Sequence, residues 1–218
     1  MKIGFDSFLN KYSLLKKTLL GLFTVSSAAG AQTIYQCTAC PSGLSSNPGA
    51  TSASQCFNPS TKGGASVIFS GISNWSGKLE PGWYRISLKG ASGSNVSCGS
   101  SGGGCSSSYS SSSCTGYGGS GGTAYYIFYV SNTASANYTY NNGSPKLVVT
   151  ESGKSTRTFQ VTAGTSGSKY TTGSYGSVCH CSNGSAGSSS ISGLTSSTDK
   201  STGNVDNWTS NGGKLVRL

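Results

Sequence analysis

The sequence predicts an all-β protein: a jelly-roll-like β-sandwich of about seven strands, with two long ordered Gly/Ser-rich insertions and a small disulfide-bonded N-terminal cap. Short apolar or alternating segments are separated by Gly, Ser, Asn and Pro, which is the pattern of all-β domains. After residue 31, no segment has a convincing helical period. Residues 90–122 contain 24 Gly or Ser, three Cys and no charge. Because this tract contains cysteines and lies between two strand-like segments, we expect an ordered insertion rather than a flexible linker.

Residues 1–31 are predicted to be a cleaved signal peptide. Lys16 and Lys17 precede the apolar run TLLGLFTVSSAAGA, which ends in the small-residue site AGA at 29–31. A membrane anchor is the alternative, but the run is shorter than the ~20 residues that span a bilayer. We therefore expect a bacterial protein that is exported through a cleaved signal peptide. It would be secreted or held at the cell surface, with no membrane span.

The eight cysteines all follow the predicted cleavage site, and in an oxidising compartment they predict disulfides before metal ligands. They are Cys37, Cys40, Cys56, Cys98, Cys105, Cys114, Cys179 and Cys181. Two clusters, Cys37-x2-Cys40 and Cys179-His180-Cys181, have spacings that zinc sites use. An oxidising compartment removes the thiolates that zinc requires, so we expect no metal site and no cofactor.

The disulfide pairing follows partly from counting. Three cysteines lie in the cap and five beyond it, so at least one bridge joins the two regions if all eight pair. A bond between Cys179 and Cys181 would close a strained ring. We expect each of these two to pair with Cys98, Cys105 or Cys114 of the first Gly/Ser tract. One cysteine of that tract would then remain for the cap, and two cap cysteines would pair with each other.

The predicted elements begin with the cap, residues 32–61, whose Pro, Gly and Ser allow little regular structure. The β domain, residues 62–218, opens with a short apolar strand at 66–70. Residues 82–89 alternate between an apolar side and a more polar side that includes Trp83 and Arg85, as in a half-buried strand. Residues 123–130 are apolar on both faces and predict a central strand.

The second half of the β domain continues this pattern of strands and turns. Ser152-Gly153 predicts a hairpin turn, and the second Gly/Ser tract follows the strand after it. The predicted elements are a turn at 141–145, strands at 146–151 and 156–163, the tract at 164–193 and a closing strand at 214–218.

Two parts of the chain resemble known extracellular families. C-T-A-C-P-S-G followed by G-A-T-S-A-S-Q-C resembles one short cysteine-rich module of the ephrin-receptor and growth-factor-receptor type. From residue 62 onward, the order is P-G-W-Y-R-I-S-L-K-G-A-S-G, a tract ending Y-G-G-S-G-G-T-A, F-Q-V-T-A-G and a closing G-G-K-L-V-R-L. This order is similar to the glycine-rich domains of bacterial and phage surface proteins, which are related in style to the glycine-rich domain of anaplastic lymphoma kinase.

The resemblance implies packed polyglycine helices in the two tracts. Such helices need residues without a Cβ wherever backbones touch. This chain often has serine where the family has glycine, so serine is expected only on exposed faces. The sequence leaves open whether the helices form.

The charge of the chain bears on its partners. From residue 32 onward there are eleven Lys or Arg and four acids, a net charge of +7. A basic surface favours anionic partners such as acidic glycans or phosphate polymers. The alternative is that scattered positive charge only keeps the protein soluble. No basic run or recognition module predicts nucleic-acid binding.

Catalytic residues are not predicted. General acid–base and nucleophilic catalysis need a positioned pair of groups. The four carboxylates (Glu80, Glu151, Asp199 and Asp206) are isolated in sequence, and the one histidine, His180, lies between two cysteines. The sequence contains no nucleophile elbow and no phosphate-binding loop. We therefore expect a non-enzymatic protein, with a secreted hydrolase as the alternative that has least support.

Trp83 and Arg85 are the predicted ligand-binding residues. They share the more polar face of their strand, where an indole ring can stack on a sugar. The other tryptophans are Trp75 and Trp208. For all three, the alternative is a place in the core of the sandwich.

These observations predict a secreted or surface-exposed bacterial protein that acts in adhesion, receptor binding or extracellular assembly. Its partner is expected to be a surface glycan or protein receptor, with an anionic partner favoured by the charge. A carbohydrate-binding module and a structural filament subunit are the alternatives. Self-association is left open.

Overall fold

The computed structural model describes residues 39–63, 65–98, 114–172, 178–195 and 197–218. The chain divides into two compact units, Met1–Phe57 and Asn58–Leu218. The predicted signal peptide, Cys37, Cys105 and the side chain of Cys179 lie outside what is described. The predicted bridge between cap and β domain depends on these cysteines and therefore stays a prediction.

The described part of the first unit is held by a disulfide and a few backbone hydrogen bonds. Cys40 pairs with Cys56. Beside this bond, Ser45 and Phe57 form an isolated antiparallel bridge, and Ala53–Gln55 form one 3-10 turn. None of the residues in this turn is buried. The prediction that two cap cysteines pair with each other is confirmed.

Over its described residues, the second unit forms two five-stranded antiparallel sheets and two two-stranded ribbons. The first sheet has the order β1-β14-β3-β6-β13, and the second has the order β12-β9-β8-β7-β2. The ribbons are β4–β5 and β10–β11. The strands are β1 (Ser66–Gly71), β2 (Trp75–Leu79), β3 (Gly82–Lys89), β4 (Val96–Cys98), β5 (Cys114–Gly116), β6 (Thr123–Val130), β7 (Ala134–Asn141), β8 (Ser144–Glu151), β9 (Arg157–Val161), β10 (Ser168–Thr172), β11 (Val178–Ser182), β12 (Ser189–Ser192), β13 (Lys200–Ser201) and β14 (Gly212–Arg217).

The main core lies between the two five-stranded sheets. Leu88 and Phe128 of the first sheet and Leu147 and Phe159 of the second are fully buried in one cluster. The ring centroids of Phe128 and Phe159 are 5.1 Å apart. Burial of each such side chain contributes about 1.5–3 kcal/mol. The all-β prediction is confirmed, and the two sheets pack face to face.

Several predicted elements are confirmed. β3 and β6 have the predicted bounds and pair with each other. Asn142 and Gly143 have φ values of 49° and 76° in the turn between β7 and β8; Asn-Gly is the preferred pair where both central residues need positive φ. β14 lies between β1 and β3, and its Leu215 is fully buried. The closing strand is therefore part of the core, as predicted.

Two expectations are corrected. The two large sheets contain ten strands rather than about seven, because β2, β7, β12 and β13 were not predicted. β3 is buried on both faces rather than one, with Arg85 0% and Ser87 1% exposed. The guanidinium of Arg85 is bonded to Asp206 and to the carbonyl oxygen of Lys62, so distant segments cover this face. Where the chain is described, no helix has the length and apolar character needed to cross a bilayer.

Candidate functional site: a crosslinked tip on a glycine bundle

Four six-residue segments outside the strands run side by side and are bonded to one another through their backbones. We call them together the glycine bundle: residues 90–95, 117–122, 162–167 and 183–188. Each segment connects a strand of a large sheet to a strand of a two-stranded ribbon. The chain therefore leaves the sandwich and returns to it twice through this bundle.

The hydrogen bonds of the glycine bundle recur every three residues. The amide groups of Gly90 and Gly93 donate to the carbonyls of Gly122 and Gly119, each at 2.9 Å. Three residues per turn, with bonds only to neighbouring segments, is the pattern of polyproline II helices packed together. At the ~3.1 Å rise per residue of that helix, each segment spans about 19 Å. The sequence left open whether the Gly/Ser tracts form packed helices; the described parts of both tracts have this pattern.

Neighbouring segments run in both directions. The second and third are antiparallel, since Gly119 donates to Thr165 at 2.9 Å and Gly122 donates to Thr162 at 3.0 Å. The third and fourth are also antiparallel. The first and third are parallel, since the amide groups of Gly164 and Gly167 donate to Ala91 and Ser94. Each segment therefore has backbone partners on more than one side, as in a lattice rather than a flat sheet.

Glycine occupies the positions where these backbones touch. A Cβ added to Gly119 would lie 1.9 Å from the carbonyl oxygen of Ser185, and one added to Gly121 would lie 1.9 Å from that of Gly90. Both distances are far below any real Cβ contact. The serines between them, including Ser120 and Ser185, are exposed. The expectation that serine lies only on exposed faces is confirmed for these positions.

The two ribbons at the far end of the bundle form what we call the tip: strands β4, β5, β10 and β11, together with Tyr117, the bundle residue that adjoins β5. Cys114 of β5 and Cys181 of β11 are disulfide-bonded, which joins the two ribbons covalently. The predicted bridge between the two Gly/Ser tracts is therefore confirmed. Cys98 of β4 is also disulfide-bonded, and its sulfur lies 3.8 Å from that of Cys181.

The sulfur atoms of Cys98, Cys114 and Cys181 all lie within 4.8 Å of one another, close enough to surround a metal ion. Zinc is bound by thiolates. Each of these three sulfurs is engaged in a disulfide, so the oxidised protein offers no thiolate ligand from this cluster. The cluster acts as a covalent crosslink.

The tip presents aromatic side chains to solvent. Tyr170 and His180 lie directly opposite each other in the β10–β11 ribbon. Their rings are stacked, with centroids 5.0 Å apart and an interplanar angle of 15°, and Tyr170 is 56% exposed. Because side chains alternate along a strand, this pair faces away from the side on which Cys181 meets Cys114. Tyr117, the residue that follows β5, is 60% exposed.

The predicted ligand-binding residues lie elsewhere, in the first sheet. Arg85 forms a buried ion pair with Asp206, at 2.5 Å between Nη2 and Oδ1. Its guanidinium has no exposed surface to offer to a ligand. Trp83 is half-buried, with its ring 5.2 Å from that of Tyr129. The sequence did not predict Tyr117 and Tyr170 as candidate ligand-binding residues. Each is an aromatic residue within a cysteine-bearing Gly/Ser tract, and this was the signal that could have indicated them.

A second buried charge cluster ties the end of the second sheet to the loop before β13. Arg157 contacts Asp199 at 3.0 Å and Glu151 at 3.4 Å, with all three side chains almost fully buried. Burial alone would raise the pKa of Glu151, but hydrogen bonds from Ser131, Asn132 and Lys154 outweigh it, and the pKa is lowered. The Glu151 carboxylate is therefore favoured as the anion by its structural partners.

The comparisons with known proteins add no assignment. No family model matches the chain, and no curated protein or solved structure shows significant similarity to it.

Proposed function

We propose that this is a secreted or surface-exposed, non-enzymatic bacterial protein that acts in adhesion or receptor binding, with the tip as its recognition element. One observation supports this most directly: a glycine bundle about 19 Å long carries a disulfide-crosslinked tip with exposed Tyr117 and Tyr170. A rigid support that presents aromatic groups lowers the entropy lost on binding. Disulfides also favour an oxidising, extracytoplasmic location.

The charged groups favour a binding role over a catalytic one. Of the four carboxylates after residue 31, Glu151, Asp199 and Asp206 are buried and paired with arginines. General acid–base catalysis needs a positioned pair of groups that are free to exchange protons with a substrate. Only Glu80 is exposed. A ring such as that of Tyr170 is instead suited to stacking on a sugar or an aromatic group.

The resemblance of the β domain to glycine-rich domains of bacterial and phage surface proteins supports the same proposal. Recognition in such a protein would lie at the far end of the bundle, away from the sandwich. A carbohydrate-binding role centred on Trp83 remains the second candidate, since this residue is half-buried rather than fully buried.

The test is binding of the labelled, disulfide-intact protein to a glycan array and to panels of intact bacterial cells, measured by fluorescence. We expect a Tyr117→Ala/Tyr170→Ala variant to lose at least tenfold in binding, because its exposed rings provide the contact. These rings are exposed, so the variant should fold normally. Trp83→Ala is the matched control. If only Trp83→Ala lost binding, the site would lie at Trp83 in the first sheet. If both variants kept full binding, the proposal that the tip is the recognition element would be wrong.

A further inference from the structure

The outer face of the second sheet carries polar side chains in a regular array. Every second residue of its strands points into the core, and the residues between them point outward. We call this surface the outer face; it comprises Ser76, Lys78, Ser135, Asn137, Thr139, Lys146, Val148, Thr150, Thr158, Gln160, Ser190 and Ser192. All but one of these residues can form hydrogen bonds through a side chain.

The strand register aligns these side chains in rows. One row crosses all five strands: Ser76, Asn137, Val148, Thr158 and Ser192 are directly opposite one another in turn. Neighbouring members of a row are about 4.8 Å apart, and neighbouring rows are about 6.7 Å apart. Hydroxyl and amide groups therefore recur in two dimensions on a surface whose residues are exposed or partly exposed.

Two shallow clefts open on this face. One has a volume of about 270 Å³ and is lined by residues that include Ser135 and Thr150. The other has a volume of about 220 Å³ and is lined by residues that include Asn74 and Thr139. Ser76 and Asn137 line both clefts. The two clefts are therefore neighbours along β2 and β7.

The charge on this face is positive. Lys78 and Lys146 are its only ionisable residues, and they lie on different strands and in different outer rows. Because they are separated by two strand spacings and two row spacings, their Cα atoms are about 16 Å apart. Glu80, the one exposed carboxylate after residue 31, lies two residues beyond Lys78 at the rim and accepts a hydrogen bond from Thr133.

We propose that the outer face binds an acidic polysaccharide. The rows of hydroxyl and amide groups would pair with sugar hydroxyls, with sugar rings seated in the two clefts, and Lys78 and Lys146 would pair with carboxylate or sulfate groups of the polysaccharide. The buried centre of a protein–protein interface is apolar and rich in aromatic residues, whereas Val148 is the one apolar side chain of the outer face. This site is separate from the tip and does not depend on the function proposed for it.

The test uses the full disulfide-intact protein and three immobilised probes: polygalacturonate, dextran sulfate and neutral dextran. We expect binding to at least one of the acidic polymers, weakening as salt approaches ~0.5 M, and weaker binding to dextran. The variant Lys78→Gln/Lys146→Gln should bind about five- to tenfold more weakly, since each exposed charge pair is worth up to about a factor of five. The acidic polymer whose binding is weakened more by this variant shows whether the lysines prefer carboxylate or sulfate groups.

A matched control separates a site from general surface charge. Lys154→Gln/Lys200→Gln removes the same two charges from exposed positions off this face and off the tip and should change the affinity less than twofold. Asn137→Ala keeps the charge and should weaken binding about threefold, whereas Glu80→Gln should strengthen it. Equal losses in the two lysine doubles, tighter binding to dextran, or absence of binding to both acidic polymers would overturn the proposal. Loss of binding in Tyr117→Ala/Tyr170→Ala would move the site to the tip and overturn it as well.

Discussion

Gly119→Ala is the substitution that tests the glycine bundle most directly. The new Cβ would lie 1.9 Å from the carbonyl oxygen of Ser185 and 2.3 Å from its carbonyl carbon. Both atoms belong to the backbone of the fourth segment, so no flexible side chain can move aside. The two segments would have to separate by about 1 Å to reach the shortest distance that real Cβ atoms show.

The cost follows from the bonds that join these two segments. The amide groups of Gly184 and Gly187 donate to the carbonyls of Tyr117 and Ser120, each at 2.7 Å. A shift of this size would stretch both bonds past useful length. Two lost bonds at about 0.5–1.5 kcal/mol each, together with overpacking of ~1–3 kcal/mol, give a loss of about 4 kcal/mol at the middle of the range. For a chain of this length, that lowers the Tm by about 8–16 °C.

The assay is thermal and urea unfolding of the oxidised protein, followed by circular dichroism. Gly203→Ala is the matched control, because a Cβ there meets no atom within 4 Å and its φ is not positive. This control should melt at the wild-type temperature or slightly above it, since alanine restricts the unfolded chain. If Gly119→Ala also melts within 1 °C of wild type, the segments do not touch as described and the argument for the bundle is wrong.

Three further predictions concern the buried charges and the crosslink. Arg85→Met should cost about 3–5 kcal/mol by leaving Asp206 buried without its partner; a loss below 1 kcal/mol in urea unfolding would show that the pair is solvated. Because the pKa of Glu151 is lowered on folding from 4.5, its stabilising contribution is present above that pH and is lost as the pH falls through the folded pKa. Glu151→Gln should therefore flatten the dependence of stability on pH below 4.5, and an unchanged acid profile would argue against this. Cys114→Ser/Cys181→Ser removes a crosslink between residues 67 apart and should lower the free energy of unfolding by about 4 kcal/mol. Ser120→Ala is the neutral control. Equal stability of the two variants would show that the crosslink does not restrict the unfolded chain.

The strands that the sequence predicted share a strong local pattern. β3 and β6 contain large aromatic and aliphatic residues over eight positions, so their bounds were predictable. β7 was missed because its inward side includes Ala134 and Ala136, which carry little apolar signal. It is nevertheless a central strand of the second sheet, fixed by its pairing with β2 and β8. Pairing of this kind is a tertiary property that overrides local propensity.

The candidate site was less predictable than the fold. Arg85 looked exposed because its own strand alternates, yet it is covered by Asp206, which lies 121 residues further along the chain. The glycines of the bundle that touch a neighbouring backbone were unpredictable for the same reason. Gly93 and Gly119 are in contact with segments about 70 residues away, so composition alone cannot separate a contact glycine from a spacer. A link from Cys181 to the first Gly/Ser tract was predicted, because ring strain excluded Cys179 as its partner; the choice of Cys114 within that tract was left open by the sequence.

The three-residue repeat of the glycine bundle restricts how its length can change during evolution. An insertion of three residues in each segment would return every glycine to the same side and add one helical turn, about 9 Å. An insertion of one or two residues would instead rotate serines such as Ser120 toward the neighbouring backbones and expose their glycine partners. The distance between the tip and the sandwich can therefore change only in steps of one helical turn. Relatives with a longer or shorter glycine bundle should differ by multiples of three residues in all four segments.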